Sequence, residues 1–214
     1  MTAHSSNVTY VKQAYHHKDL RNALIDEALT VLASEEPAEL TLRELARRLG
    51  VTHTAPYAHF PDKQALLEAV ADAGFLRLAE RLEAVEGAAQ EPLQAFRAMA
   101  HAYLAFAQEQ PNLYRLMFTA PELAHDPECE MSLDGERAFA VVVRTIERIG
   151  APKGVDLRDL AAAVWSCVHG VAMLDLDKRI HGKTMQSPQT VLDLGTEMML
   201  AGLAAKSHGG GAGA

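Results

Sequence analysis

Hydroxyl, imidazole, phenol and ammonium groups are concentrated over a dozen residues in the first third of the chain. Thr52, His53 and Thr54 crowd the predicted start of a short helix, where the phosphates and base edges of a duplex would be met. The phenolic hydroxyl of Tyr57 can reach a phosphate. Lys63 lies in the first turn of the next predicted helix, where its charge opposes the helix dipole at a cost of about 0.3–1 kcal/mol. A nearby phosphate would offset that cost.

Structural alternatives exist for the same side chains. Tyr57 could be a half-buried spacer, Lys63 a solvated partner of Asp62, and His59 a turn residue. Phe60 is expected in the core, because an aromatic residue at the end of a short amphipathic helix normally anchors it.

A second group of candidates lies in the C-terminal two thirds of the chain. Trp165 and His169 are four residues apart and share a helix face, which places a ring nitrogen beside a large apolar wall. Together with other aromatic, histidine and methionine residues they suit an apolar ligand with one polar handle. The alternatives are plain core packing and, for His169, a structural hydrogen bond. The candidate pocket residues are His101, Tyr103, Phe106, Tyr114, Met117, Phe118, Trp165, His169 and Met173.

Motifs for catalysis or metal binding are not found in the sequence. It contains no Gly-x-Ser-x-Gly elbow, Gly-x-Gly-x-x-Gly loop, Walker motif or His-Glu-x-x-His pair. The ten histidines are poorly spaced for a shared metal ion, and His125-x-x-x-Cys129 lies in a Pro- and acid-rich segment. Cys129 and Cys167 are expected to be reduced thiols. We therefore predict no catalytic residues, no metal site and no cofactor.

The elements that position these residues are predicted to be helices throughout. Apolar residues recur at intervals of three and four past residue 18, alanine and leucine dominate, and β-branched runs are scarce. Hydrophobic residues make up 49% of the 214-residue chain, enough for a buried core. We predict an all-α protein, with later helices at about 91–109, 111–118, 131–149, 156–181 and 188–206, separated by prolines.

The N-terminal helices have the pattern of a helix-turn-helix. A first helix ends before Pro37, and Thr41 with Glu44 forms a capping box that opens a helix of about two turns. Gly50 ends that helix, and Thr52 can cap a third short helix that runs to about Ala58. Asp62 caps a long fourth helix. In this arrangement the helix after the turn enters the major groove of DNA.

The segment from Leu40 to Lys63 resembles the DNA-binding signature of the TetR family. The resemblance covers about residues 18–66: a helix led by threonine, the turn Ala-x-x-x-Gly-Val, the end Tyr-x-x-Phe, and a lysine opening the next helix. Pro56 departs from a position that is commonly aliphatic, and Ala58 from one that is often basic. The resemblance assigns DNA contact to the positions discussed above, and the predicted set is Thr41, Thr52, His53, Thr54, Tyr57, His59 and Lys63.

The family resemblance implies a homodimeric transcriptional regulator, most commonly a repressor, that a small molecule releases from a palindromic double-stranded operator. Trp165, His169 and Gly170 are similar to a Trp-His-Gly motif of one type of TetR C-terminal domain. The predicted domains are a helix-turn-helix domain at 1–62, a helical-bundle ligand-binding and dimerisation domain at 63–206, and a disordered tail at 207–214. The apolar helix at 156–181 is expected to pack on its own domain on one side and on a second copy on the other.

Net charge and hydropathy indicate how strongly the chain binds random DNA and in which compartment it is expected. The formal net charge is −8, and residues 1–63 hold seven basic against eight acidic side chains, which predicts low non-specific affinity for DNA. The uncharged stretch 160–174 is short for a membrane span, and residues 1–17 lack the apolar core of a signal peptide, so we expect a cytoplasmic protein. The rival readings are a helical ligand-binding or adaptor protein that does not bind DNA, and a small-molecule enzyme.

Overall fold

Helices form every regular element of the residues that the structure, a computed structural model, describes, namely 20–119, 133–152, 154–180 and 186–208. A short 3₁₀ segment, Ala55–Ala58, lies between the second and third α-helices. The all-α prediction is confirmed. The α-helices are α1 (Leu20–Leu32), α2 (Leu42–Leu49), α3 (Lys63–Ala88), α4 (Pro92–Glu109), α5 (Pro111–Thr119), α6 (Leu133–Ile149), α7 (Leu157–Leu176) and α8 (Pro188–His208).

Local hydrogen bonds explain where α2 begins and ends. The hydroxyl of Thr41 accepts from the backbone N–H of Glu44 at 3.2 Å, as a helix N-cap does. At the other end Gly50 has φ +69°, and the N–H of Val51 donates to the carbonyl of Ala46. The carboxylate of Glu44 differs from the capping-box prediction, because it accepts hydrogen bonds from arginine side chains of the same helix.

The predicted third helix, from Thr52 to Ala58, is wrong in its type and its cap. An α-helix begun at Thr52 would need the N–H of residue 56 to donate to the carbonyl of Thr52, and Pro56 has no N–H. Ala55 donates to that carbonyl instead, at 3.0 Å and one residue earlier, which gives the 3₁₀ spacing. The hydroxyl of Thr52 lies 3.3 Å from that of Thr54 rather than capping a backbone group.

The bundle that follows the N-terminal unit is organised around α3. This 26-residue helix starts at Asp62, whose carboxylate accepts from the N–H of Ala65 at 2.9 Å, and it packs against α4, α5 and α6. Gly74 is a close-packing position of α3. A Cβ placed there would lie 2.7 Å from Sδ of Met117 and 3.0 Å from Cδ1 of Leu113, both on α5.

The apolar helix predicted at 156–181 is shorter than expected. It begins after Asp156, whose carboxylate caps two N–H groups, and ends at Leu176, where Lys178 has φ +56°. Residue 181 and the glycine-rich residues 209–214 lie outside the described residues, and α8 runs to His208.

The contacts of α7 place it in the helical bundle. By length and composition alone it could cross a membrane, but it packs against α4, α6 and α8. Only 22% of its most apolar stretch is buried in one protomer, so the predicted burial on two sides is not reached within a single chain.

Candidate nucleic-acid interface and ligand pocket

The predicted contact residues of the helix-turn-helix lie at the start of α2 and along the segment from Thr52 to Lys63. Tyr57 is 47% exposed, so about half of its surface remains accessible to a partner. Lys63 is partly buried and lies at the start of α3. The remaining predicted contact residues are all exposed: Thr41, Thr52, His53, Thr54 and His59.

Two buried residues anchor the 3₁₀ segment beneath these exposed side chains. Phe60 is 2% exposed, as predicted, and the guanidinium of Arg21 in α1 lies 5.3 Å from the centre of its ring. Pro56 is buried as well. Pro56 and Phe60 therefore hold the segment from its buried side, and Tyr57, which lies between them in the sequence, is exposed to solvent.

Lys63 has a structural partner that the sequence did not indicate. Its Nζ donates to the backbone carbonyl of Ala38 at 2.7 Å, which links the start of α3 to the loop between α1 and α2. Asp62 is occupied by capping α3, so the expected alternative of a Lys63–Asp62 pair is not what the structure contains. An ammonium group has three N–H donors, so two remain for an additional partner.

Acidic side chains of the N-terminal unit hold two of its arginines. Arg47 and Arg48 both donate to the carboxylate of Glu44, at distances between 2.6 and 3.0 Å. Arg48 also pairs with Glu35 at 2.9 Å. Hydrogen bonds from the two guanidinium groups, that of Arg47 first, hold the pKa of Glu44 at about 2. These cations are therefore partly neutralised within the fold, as the nearly balanced charge of residues 1–63 suggests.

A small, largely apolar pocket of about 40 Å³ lies between α3, α6 and α7. A second pocket, also of about 40 Å³, adjoins it and shares Leu82, Tyr103 and Val142. Among the described residues, no charged side chain lines either of them. The first pocket is lined by Phe75, Leu78, Leu82, Tyr103, Phe118, Gly135, Ala138, Phe139, Val142 and Trp165.

A hydrogen-bonded cluster of four side chains, which we term the tyrosine–histidine cluster, forms the polar edge of the first pocket. Trp165 Nε1 donates to the hydroxyl of Tyr103 at 3.0 Å. The hydroxyl of Tyr114 lies 3.1 Å from that of Tyr103, and Nδ1 of His169 lies 3.1 Å from Tyr103 and 2.7 Å from Tyr114. His169, the polar group expected to contact a ligand, is thus hydrogen-bonded to other side chains of the protein.

Burial determines the protonation of this cluster. Loss of hydration lowers the pKa of His169 below its ordinary value and raises the pKa of Tyr103 to about 12. The pKa of Tyr114 is raised as well, mainly by burial. At neutral pH the imidazole is therefore uncharged and Nδ1 can accept a hydrogen bond from a phenolic hydroxyl, while both tyrosines remain neutral.

The structure gathers some of the predicted pocket residues and separates others. Tyr103, Phe118 and Trp165 line the first pocket, with His169 and Tyr114 in hydrogen-bonding contact with Tyr103. His101 instead lies on the surface and pairs with Asp193 of α8 at 2.6 Å. The other predicted residues pack in or against the core without lining either of the two pockets: Phe106, Met117 and Met173.

Several lining residues were not proposed for the pocket from the sequence. Leu78 and Leu82 stand on the predicted apolar stripe of α3, and Phe139 and Val142 stand on α6. Their spacing signals a buried helix face and does not distinguish a packed core from a pocket wall. The missing information is how closely the facing helices approach each other.

Two segments of the chain match families of known proteins. Residues 24–70 match the family described as bacterial regulatory proteins, tetR family. Residues 96–199 match a tetracyclin repressor-like C-terminal domain. The first match contains the helix-turn-helix and the second contains the tyrosine–histidine cluster.

Similar individual proteins agree with these matches. The HTH-type transcriptional regulator Rv0681 of Mycobacterium tuberculosis is 29% identical over 73% of this chain and 70% of its own. The nucleoid occlusion factor SlmA of Vibrio vulnificus is 30% identical over 45% of this chain, which spans about half of SlmA. A Rhodococcus protein of unknown function is 33% identical, with a TM-score of 0.75 over 90% of this chain and all of its own. A TetR-family regulator from Pectobacterium atrosepticum has the same fold, with a TM-score of 0.65 at 23% identity over 87% of this chain and 95% of its own.

Proposed function

This chain belongs to the TetR family of transcriptional regulators, and from that premise we propose that it is a homodimeric repressor released from a palindromic operator by a small, largely apolar effector. The observation that carries the proposal is the exposed row around Tyr57, which lies inside the segment that matches the DNA-binding domain of the family. This row consists of Thr52, His53, Thr54, Tyr57 and His59. A domain that used this face for its own packing would bury Tyr57 together with Phe60.

The DNA contacts that we propose divide into two kinds. Tyr57, Lys63 and the capped start of α2 at Thr41 face the phosphate backbone, which positions the protein without reading sequence. Thr52, His53 and Thr54 precede the 3₁₀ segment and supply hydroxyl and imidazole groups for base edges. His59 follows the segment and flanks the same surface.

Internal ion pairs support low affinity for random DNA. Non-specific binding depends on the number of phosphates that basic side chains neutralise. Arg47 and Arg48 already share the carboxylate of Glu44. The free energy of operator binding must then come more from shape and base contact than from charge.

The exposed apolar side of α7 and α8 supports pairing of two copies. Leu194 and Met198 on α8 are 65% and 68% exposed, and Leu174 on α7 is 48% exposed. A groove of about 250 Å³ between the two helices is lined in part by Leu160 and Cys167. Gly170 has open space around its Cβ direction, which allows a second backbone to approach. We propose that these faces form the isologous dimer interface.

The pocket supports an uncharged effector. Transfer of an ionised group into it would leave that group without a charged partner among the residues that line it. The dimer presents two recognition segments, which must lie about 34–36 Å apart to enter adjacent major grooves. An effector that binds more tightly to a state with a different separation reduces operator affinity by that difference.

Binding of fluorescent duplex DNA at two or more salt concentrations tests the DNA-binding part. We expect the binding constant to fall steeply with salt, and the salt slope to decrease by about one for each Lys63 lost as a phosphate contact. Replacement of both Tyr57 and Lys63 by alanine should weaken binding, whereas Lys178→Ala, an exposed lysine after α7, should not. Absence of binding at low salt would favour the adaptor, and turnover of a small-molecule panel would favour an enzyme.

Light scattering coupled to gel filtration tests the dimer. Leu194→Glu with Met198→Glu should convert a species of two chains into a single chain, because two charges would be buried on each side of the interface. Leu93→Glu is the matched control, since Leu93 is 44% exposed on α4. A doubly substituted protein that retains the dimer mass would contradict the assignment of α8.

A further inference from the structure

Three parts of the molecule meet at α5, a helix of nine residues. Its Asn112 reaches the N-terminal unit, its Leu113 and Met117 press on Gly74 of α3, and its Tyr114 belongs to the tyrosine–histidine cluster. Phe118, one turn later, lines the ligand pocket. Because α5 has only nine residues, it moves as a rigid body, and a displacement at Phe118 also displaces Asn112.

The contact of Asn112 falls at the end of α1. Its side-chain Nδ2 donates to the backbone carbonyl of Leu32 at 3.2 Å and to that of Glu35 at 2.9 Å. The carbonyl of Leu32 belongs to the last turn of α1, where helical partners are lacking, and that of Glu35 follows the helix. The carboxylate of Glu35 in turn holds Arg48 of α2 at 2.9 Å. One amide group therefore connects α5 to both helices that carry the 3₁₀ segment.

The pocket-facing side chains of α5 hold the helix against α7 and α3. The hydroxyl of Tyr114 lies 2.7 Å from Nδ1 of His169 on α7, and the ring of Phe118 lies edge-on to that of Phe75 at 5.3 Å between centroids. Met117 fills the space left by Gly74, so α5 cannot sink further toward α3. A molecule that binds beside Phe118 therefore contacts α5 and can displace this helix.

We propose that Asn112 is the positioning residue that transmits the placement of α5, set by the ligand pocket, to the helix-turn-helix unit. The regulatory meaning of this coupling rests on the proposed function. The coupling itself is a property of the protein in the absence of DNA and effector. Loss of the amide separates the two ends: the pocket keeps its structure and α1 keeps its core packing, while the end of α1 no longer follows α5.

Hydrogen exchange measured by mass spectrometry on the full chain without DNA tests this coupling. The backbone N–H groups of Ala33, Ser34 and Glu35 bond to carbonyls at the end of α1 and report on that end. Asn112→Ala removes both hydrogen bonds and should accelerate exchange in residues 33–39 by at least about three- to ten-fold, the effect of losing one of them. Tyr114→Phe, which removes the hydrogen bond between α5 and His169 of α7, should accelerate the same amides. In the Asn112→Ala background Tyr114→Phe should add nothing.

Controls separate this coupling from general loss of structure. Asn112→Asp retains the side-chain shape without the N–H donors and should act like Asn112→Ala. His101→Ala removes a surface pair between α4 and α8 and should leave residues 33–39 unchanged. Unchanged exchange at residues 33–39 after Tyr114→Phe, or the same acceleration with and without Asn112, would overturn the proposal. Duplex binding by the unsubstituted protein is measured separately, so a failure of the DNA-binding function is distinguishable from a failure of the coupling.

Discussion

Replacement of Gly74 by alanine should destabilise the protein although alanine is the better helix former. In an open helix position this change stabilises by about 0.4–1 kcal/mol. At Gly74 the new Cβ would lie 2.7 Å from Sδ and 2.9 Å from Cγ of Met117, which is 2% exposed and has little room to retreat. Overpacking of this kind costs about 1–3 kcal/mol. The steric cost exceeds the gain in helix propensity, so we expect a net loss of stability.

Gly87, near the end of the same helix, is the matched control. It is exposed and has no atom within 4 Å of an added Cβ, so Gly87→Ala should show the propensity gain without the steric cost. The difference in free energy of unfolding between the two variants should be about 1–3 kcal/mol. At about 2–4 °C per kcal/mol, the Tm values should differ by some 2–12 °C at equal protein concentration. Equal stabilisation by both substitutions would refute the close contact between α3 and α5.

Three further outcomes follow from the ion pairs and the buried cluster. Glu44→Gln removes the shared partner of the two α2 arginines, so binding to random duplex DNA should strengthen and become more salt-dependent in an anisotropy titration. Tyr103→Phe leaves the partly buried N–H of Trp165 unpaired and should cost about 1–3 kcal/mol in denaturant unfolding, more than Tyr114→Phe, after which Tyr103 still faces His169. Because burial lowers the folded-state pKa of His169, the unfolded chain binds its proton first as pH falls. Stability should therefore decline below about pH 6.5, and His169→Gln should flatten that decline.

Local signals in the sequence predicted much of the N-terminal unit. Thr41, Gly50 and Asp62 act through hydrogen bonds and backbone angles within a few residues of themselves, so the ends of α2 and the start of α3 follow from residue type. The 3₁₀ segment was not predicted, because the prediction of a cap at Thr52 did not consider that Pro56 has no N–H group. That signal was present in the sequence.

The pocket could be predicted only in part, for a different physical reason. Trp165 and His169 share a face of one helix, and their spacing was sufficient to place them together. Tyr103 and Tyr114 stand on two other helices, and their meeting with His169 depends on how α4, α5 and α7 pack. His101 was grouped with them by residue type, yet its position on α4 turns it toward α8. Non-local packing of this kind has no short-range signature in a single sequence.

Selection of duplexes from a random pool with the purified protein tests the central claim most directly. Two copies that each present the exposed row around Tyr57 should enrich an inverted repeat whose half-site centres lie about one helical turn, 10–10.5 base pairs, or a multiple of it, apart. The Tyr57→Ala, Lys63→Ala protein should enrich no such repeat. Enrichment of the same sequence by both proteins, or of none by the unsubstituted protein, would contradict the account.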